Sequence, residues 1–143
     1  LAALQRHLAP ALPALAGGGA GDLRAAQFGT GTSNPTYLVW SARDPASRCV
    51  LRRQPPGELV VGAHQVDREY RVQRALEGSG VPVARMRHYC GDAGVLGRPF
   101  YVMECVPGRV LVDSGLFLGE SERAALWSSM CRAVASLHAV DLR

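Results

Sequence analysis

The positions of glycine and proline constrain the fold of this chain more than any other feature. The 143 residues include 16 Gly and 9 Pro, which divide the chain into short segments because both residues interrupt helices and strands. Two longer helices are predicted between these breaks, over 63–77 and 121–138. Five strands are predicted over 23–28, 37–40, 49–52, 85–89 and 100–106. This mixture of strands and helices predicts an α+β fold.

The absence of lysine excludes two kinds of site. All 16 cationic residues are arginine. Schiff-base chemistry and a phosphate-binding loop of the G-K-[ST] type both require lysine, so neither is available to this chain. Any phosphate-binding side chain with a permanent positive charge must therefore be an arginine.

Charge and cysteine spacing argue against several further classes. The net charge is +4, but the arginines are scattered and not interleaved with aromatic residues, so we expect no nucleic-acid partner. The four cysteines form no C-x-x-C pair, which predicts neither a zinc site nor a disulfide framework and favours a reducing, intracellular compartment. No segment is long and apolar enough to span a membrane.

The first 22 residues form an Ala/Leu/Gly-rich leader. Pro10 and Pro13 interrupt its apolar run, and three glycines follow at 17–19. We expect a short capping helix followed by a flexible joint.

Glu69 lies on the apolar side of the middle predicted helix. At 100° per residue it falls in the same arc as Val66, Tyr70, Val72 and Leu76. An inward carboxylate needs a cation, because an unpaired buried charge is costly. The alternative is that Glu69 lies at the edge of this arc and extends its carboxylate into water.

Three features along the chain together fit a polyphosphate site. The glycine-rich connection over 29–35 lets backbone N–H groups approach phosphate closely, although an ordinary tight turn is the alternative. Alternation puts Val50 and Arg52 on one face of the third strand, where Val50 can pack on adenine and Arg52 can reach phosphate, with Arg53 facing outward. The alternative for Arg52 is a surface position on an edge strand. The fifth strand turns at Pro107 and could present backbone groups to adenine.

The motifs resemble the amino-terminal lobe of protein-kinase-like phosphotransferases. Four segments, 28–37, 50–57, 67–70 and 99–104, are similar to the aminoglycoside phosphotransferase and choline kinase branch. Within this branch they resemble the kinase-like domain of acyl-CoA dehydrogenase family members ten and eleven. The resemblance implies a five-stranded antiparallel sheet plus one helix, with the lobe and its hinge over 23–106 and the incomplete start of a carboxy-terminal lobe over 107–143.

The resemblance also implies roles for individual residues. Glu69 would orient the phosphate-binding cation, and the hinge would begin at Met103, with the carbonyl of Glu104 and the N–H of Val106 meeting adenine. Arginine replaces the protein-kinase lysine at position 52, as in the choline kinase branch. The loop that covers the nucleotide would consist of Gly29, Gly31, Ser33 and Asn34.

The catalytic part of the family pattern does not occur in this sequence. In the family, a H-G-D-x-x-x-x-N stretch and a later Asp in the second lobe orient the acceptor and hold magnesium. The His138 and Asp141 pair has the wrong spacing for this stretch. We therefore assign no catalytic or metal-binding residue to this chain, expect the magnesium ligands and the rest of the second lobe in a continuation of it, and expect no turnover from these 143 residues alone.

The function that follows is ATP-dependent phosphorylation of a small-molecule hydroxyl, with a hydroxylated fatty acyl group as one candidate acceptor. This chain would supply the nucleotide-binding half of the site. The alternative is a non-catalytic nucleotide-binding or scaffold module of a fatty-acid-oxidising enzyme. The resemblance implies a mitochondrial or peroxisomal location.

Overall fold

A computed structural model describes residues 1–29, 33–58, 62–111 and 117–141. These residues form two compact units. The first comprises Leu1–Ala75 and Ala84–Cys105, and the second comprises the described parts of Leu76–Val83 and Val106–Arg143. The predicted leader therefore belongs to the same unit as the sheet.

The leader contains two short helices where one was predicted, and a further short helix lies between the last two strands; the other elements follow the predicted order. The strands are β1 Leu23–Gln27, β2 Thr36–Ser41, β3 Arg48–Arg53, β4 Met86–Cys90 and β5 Phe100–Glu104. The helices are α1 Ala2–Leu8, α2 Pro13–Ala16, α3 Val66–Leu76, α4 Ala93–Leu96 and α5 Glu120–His138.

The five strands form one antiparallel sheet in the order β1-β2-β3-β5-β4. In this order β3 is the central strand, so Arg52 does not lie on a sheet edge. In the β3/β5 register, Arg52 is opposite Tyr101 and Val50 is opposite Met103. The side chains of these four residues share one face, because side chains alternate along each strand.

Helices cover both faces of the sheet. On one face, Phe100 and Val102 pack with residues of α1 and α2, including Leu4 and Leu8. On the other face, Tyr101 packs with Val66 of α3 and Met86 of β4. Phe100, Tyr101 and Val102 are at most 1% exposed, because β5 is buried on both faces. This burial explains its continuous apolar sequence.

Gln5 connects the leader helices to the first strand. Its side chain lies in the core, and the residue is 6% exposed. The Nε2 amide donates to the carbonyls of Ala16, Gly18 and Gly19 at 3.4, 3.3 and 2.8 Å. The Oε1 atom accepts from the backbone N–H groups of Gly21 and Leu23 at 3.2 and 3.4 Å. The glycine-rich segment that we expected to be a flexible joint is thus held by a buried side chain.

The largest differences from the sequence prediction lie at the start of the middle helix, at the end of the fifth strand and in the turn between the last two strands. The middle helix begins at Val66 rather than at residue 63, because His64 has a φ of 57° and cannot continue a helix. The fifth strand ends at Glu104, two residues earlier than predicted. The turn rich in Gly and Asp between the last two strands contains the short helix α4, in which the Asp92 carboxylate accepts a hydrogen bond from the N–H of Gly94 at 2.7 Å.

Arg53 does not face solvent as the sequence suggested. Alternation does place it on the opposite face from Arg52, but α1 and α2 cover that face. Its Nη1 atom donates to the carbonyl of Leu96 at 3.1 Å. The predicted outward orientation was wrong because strand alternation does not reveal that the leader packs on the sheet.

The second unit contains α5, whose apolar residues are exposed. Among the described residues, Trp127, Met130, Val134 and Leu137 are 45–52% exposed. Their spacing of three and four residues places them on one side of the helix. No described helix is long and apolar enough to cross a membrane.

Candidate nucleotide site

Arg52 and Glu69 form an ion pair between the central strand and α3. The Nε atom of Arg52 lies 3.0 Å from Oε2 of Glu69, and each side chain is 32% exposed. The carboxylate thus has the cation that its inward position required. A pair this exposed contributes only about 0–1 kcal/mol to stability, so orientation of the two groups is its more important effect.

The pair leaves much of the arginine available. The Nε–H is close to the carboxylate but is not aligned for a hydrogen bond, and Nη1 and Nη2 of Arg52 donate to no other described residue. Arginine has five N–H donors in a planar arrangement that suits phosphate oxygens. The terminal nitrogens can therefore bind an anion while Nε remains beside Glu69.

Two further side chains hold the carboxylate of Glu69. The Nδ2 atom of Asn34 donates to Oε1 at 2.8 Å, and the Tyr101 hydroxyl donates to Oε2 at 3.0 Å. Gln73 Nε2 donates to the Tyr101 oxygen at 3.3 Å. Burial, followed by the nearby charge of Glu69, raises the pKa of Tyr101 to about 12, so this hydroxyl keeps its proton at neutral pH.

The side chain of Asn34 is buried and faces the protein. Its Oδ1 atom lies 3.0 Å from Nδ1 of His64, which therefore carries the proton and donates it. The left-handed backbone of His64 brings the ring to this position. The amide of Asn34 thus bridges Glu69 and His64, and its role in the loop that covers the nucleotide stays a prediction.

A groove of about 510 Å³ opens beside the ion pair. This volume is within the range of small-molecule sites. Of the predicted site residues, the groove brings together Arg52, Glu69 and Met103, and its remaining lining residues are Arg68, Val72, Gln73 and Tyr101. Val72 was expected in the apolar arc of α3 but is 53% exposed at this groove.

The other predicted site residues lie around this region or outside it. Val50 is 9% exposed and pairs with Met103, while Gly29 and Ser33 are exposed on the β1–β2 connection. Gly31 lies outside the described residues. Glu104 and Val106 belong to different compact units, so their joint contact with adenine stays a prediction.

The sequence reasoning missed Tyr101, Gln73 and His64. Tyr101 had a detectable signal, because alternation from Met103 places its side chain on the face of Arg52. Gln73 follows Glu69 by one helical turn, which is a weaker signal. Nothing in the local pattern marks His64 as a residue with positive φ.

The described residues contain no other site of comparable chemistry. No group of three or more His, Cys, Asp or Glu in them could hold a metal ion. All four cysteines are free thiols.

Comparison with known proteins identifies the family. Residues 24–143 match the phosphotransferase enzyme family, APH. The chain belongs to this family. Its fold is also that of a solved phosphotransferase: a crystal structure of a candidate aminoglycoside phosphotransferase from Ralstonia eutropha superposes with a TM-score of 0.72 at 39% identity, covering 97% of this chain and 38% of that one.

Two curated relatives carry the more specific resemblance. The chain is 39% identical to acyl-CoA dehydrogenase family member 11 of Mus musculus over 144 residues, which cover 100% of this chain and 18% of that protein. It is also 39% identical to family member 10 of Mus musculus, over 86% of this chain and 11% of that protein. These matches confirm the family and the α+β fold. The chain spans less than a fifth of either relative.

Proposed function

We propose that this chain forms the nucleotide-binding half of an ATP-dependent phosphotransferase that acts on a hydroxyl group of a small molecule. The observation that carries the proposal is the Arg52–Glu69 pair at the edge of a groove, with both terminal nitrogens of the arginine free of hydrogen bonds to the described residues. In this proposal Arg52 binds phosphate oxygens of ATP, and Glu69 keeps its guanidinium in place.

The sheet register supports a proposed position for the adenine. Val50 and Met103 pair on the same face as Arg52, so an adenine on these apolar side chains would extend its phosphates towards the arginine. The carbonyl of Glu104 and the N–H of Val106 are proposed to contact the adenine edge, while the backbone around Gly29, Gly31 and Ser33 covers the phosphates.

Phosphoryl transfer depends on positioning and on neutralisation of charge. Arg52 supplies one positive charge to the phosphates. Magnesium, where bound, supplies the larger part of the neutralisation, and we propose that its ligands and the group that orients the acceptor hydroxyl belong to a continuation of the chain. The coverage of only 38% of the solved phosphotransferase supports this, as does the exposed apolar side of α5, on which such a continuation could pack.

The acceptor is proposed to be a hydroxylated fatty acyl group. The support is that the relatives with 39% identity are named acyl-CoA dehydrogenases and are much longer than this chain. In this proposal dehydrogenase domains accompany the phosphotransferase domain, and the protein works in mitochondria or peroxisomes, where fatty acyl groups are oxidised.

The test measures ATP affinity and product formation with the full-length protein. Arg52→Ala should weaken ATP binding about tenfold or more, because charge-assisted hydrogen bonds to phosphate are lost. The matched control is Arg71→Ala, which removes the same charge from the exposed side of α3 and should change affinity less than about twofold. Unchanged ATP affinity in Arg52→Ala would contradict the proposal. ATP binding without a phosphorylated product from any hydroxylated acyl group would favour a non-catalytic nucleotide-binding module.

A further inference from the structure

Glu69 does not meet Arg52 in the geometry that is usual for a carboxylate and a guanidinium. A free carboxylate prefers to meet a guanidinium with both oxygens on two N–H groups. Here only Oε2 approaches the arginine, and it does so at Nε, out of line for a hydrogen bond. Some other interaction must hold the carboxylate in this arrangement.

Tyr101 provides that interaction at Oε2. Its hydroxyl donates to the same oxygen that faces Arg52, at 3.0 Å, while Asn34 occupies Oε1 at 2.8 Å. The ring of Tyr101 is 1% exposed and packs against Val66 and Met86. A buried ring on the central part of the sheet gives the hydroxyl a fixed position, and Gln73 Nε2 donates to it at 3.3 Å, which orients its proton towards Glu69.

We propose that Tyr101 is a positioning residue of the ATP site, which holds Glu69 so that the carboxylate meets Arg52 at Nε and leaves Nη1 and Nη2 for phosphate. Without the hydroxyl, Oε2 loses its aligned donor. The carboxylate then turns towards the terminal nitrogens of Arg52 and forms the two-point pair. Glu69 would in that state compete with ATP for the same N–H groups.

This inference rests on the proposed function and makes a more specific prediction. In this proposal Tyr101 acts through Glu69 and Arg52, and Arg52 contacts the phosphates rather than the adenosine. Loss of the hydroxyl should therefore weaken the binding of ATP but not that of adenosine. A general loosening of the fold would weaken both ligands.

The experiment compares ATP and adenosine affinities for the full-length protein by calorimetry. Tyr101→Phe keeps the buried ring and should weaken ATP binding about five- to tenfold, with adenosine affinity unchanged within about twofold. The control Tyr89→Phe removes a hydroxyl from the neighbouring strand β4, at a residue that does not line the groove, and it should leave both affinities unchanged. In a Glu69→Gln background, Tyr101→Phe should have no further effect on ATP binding.

Three outcomes would overturn the inference: ATP affinity unchanged in Tyr101→Phe, equal losses for ATP and adenosine, or an undiminished effect in the Glu69→Gln background. These outcomes differ from those expected if the proposed function is wrong. If the proposed function is wrong, the unsubstituted protein does not bind ATP, or Arg52→Ala binds ATP as well as the unsubstituted protein does. If Arg52→Ala weakens ATP binding and Tyr101→Phe does not, only the role of Tyr101 is wrong.

Discussion

Replacement of Gln5 by leucine should loosen the leader helices and the first strand together. The Gln5 amide is buried and contacts five backbone groups, of which the carbonyl of Gly19 at 2.8 Å and the N–H of Gly21 at 3.2 Å have the shortest distances. Leucine has a similar volume, so the substitution removes hydrogen bonds without creating a large cavity. It leaves at least these two backbone groups without their partner.

The magnitude follows from those two groups. A backbone group that loses its partner without full access to water costs about 1–3 kcal/mol. The two groups together lower the free energy of opening by about 2–6 kcal/mol. Since each 1.4 kcal/mol is a factor of ten, the amides that open with this segment should exchange hydrogen at least roughly 30-fold faster.

The assay is hydrogen exchange followed by mass spectrometry on peptides that contain α1 and β1. The matched control is Gln27→Leu. Gln27 is an exposed glutamine at the end of β1, and substitutions at exposed positions usually change stability by less than about 0.5 kcal/mol. Exchange in Gln5→Leu that matches the control would show that the leader is not held by this side chain. Faster exchange across the whole chain would instead indicate a global loss of stability.

Two further predictions concern single side chains. Arg52→Lys should bind ATP about tenfold more weakly than the unsubstituted protein, because a lysine ammonium cannot reach Glu69 and two phosphate oxygens with separate planar donors; equal affinities by calorimetry would contradict the proposed use of the arginine fork. Burial, together with the neighbouring His7, lowers the pKa of His88. The unfolded chain therefore binds more protons than the folded chain below about pH 6.5. The contribution of His88 to the free energy of unfolding should be fully present above about pH 6.5 and should decrease as the pH falls below it. His88→Gln should flatten this dependence in denaturation experiments between about pH 5 and 7.5, and a slope that persists in the variant would assign it to another group.

The ion pair could be anticipated from the sequence because each of its members follows a local rule. The helical period places Glu69 on the inward side of α3, and the period of two places Arg52 on the face of Val50. The absence of lysine left arginine as the only permanent cation. Each rule uses only residues near each other in sequence. The face on which each side chain lies can therefore be predicted without knowledge of the tertiary fold.

The position of the leader and the role of Asn34 could not be anticipated in the same way. Leu4 and Leu8 show that α1 is apolar on one side, but the sequence does not say which surface that side will cover. The contact between Asn34 and Glu69 joins residues 35 positions apart, and the other side of the Asn34 amide contacts His64, which has a left-handed backbone. Both features arise from tertiary packing, to which helical and strand periods are insensitive.

The use of arginine at position 52 also explains why Glu69 has so many partners. A lysine ammonium offers its donors from one atom, so a single carboxylate oxygen can hold it without determining which donors remain free. A guanidinium has two distinct sides, and the side on which the carboxylate binds decides what is left for phosphate. The contacts from Asn34 and Tyr101 fix both oxygens of Glu69 and thereby select the Nε side. We therefore expect the Tyr101 hydroxyl to matter with arginine at position 52, and to matter much less in an Arg52→Lys background.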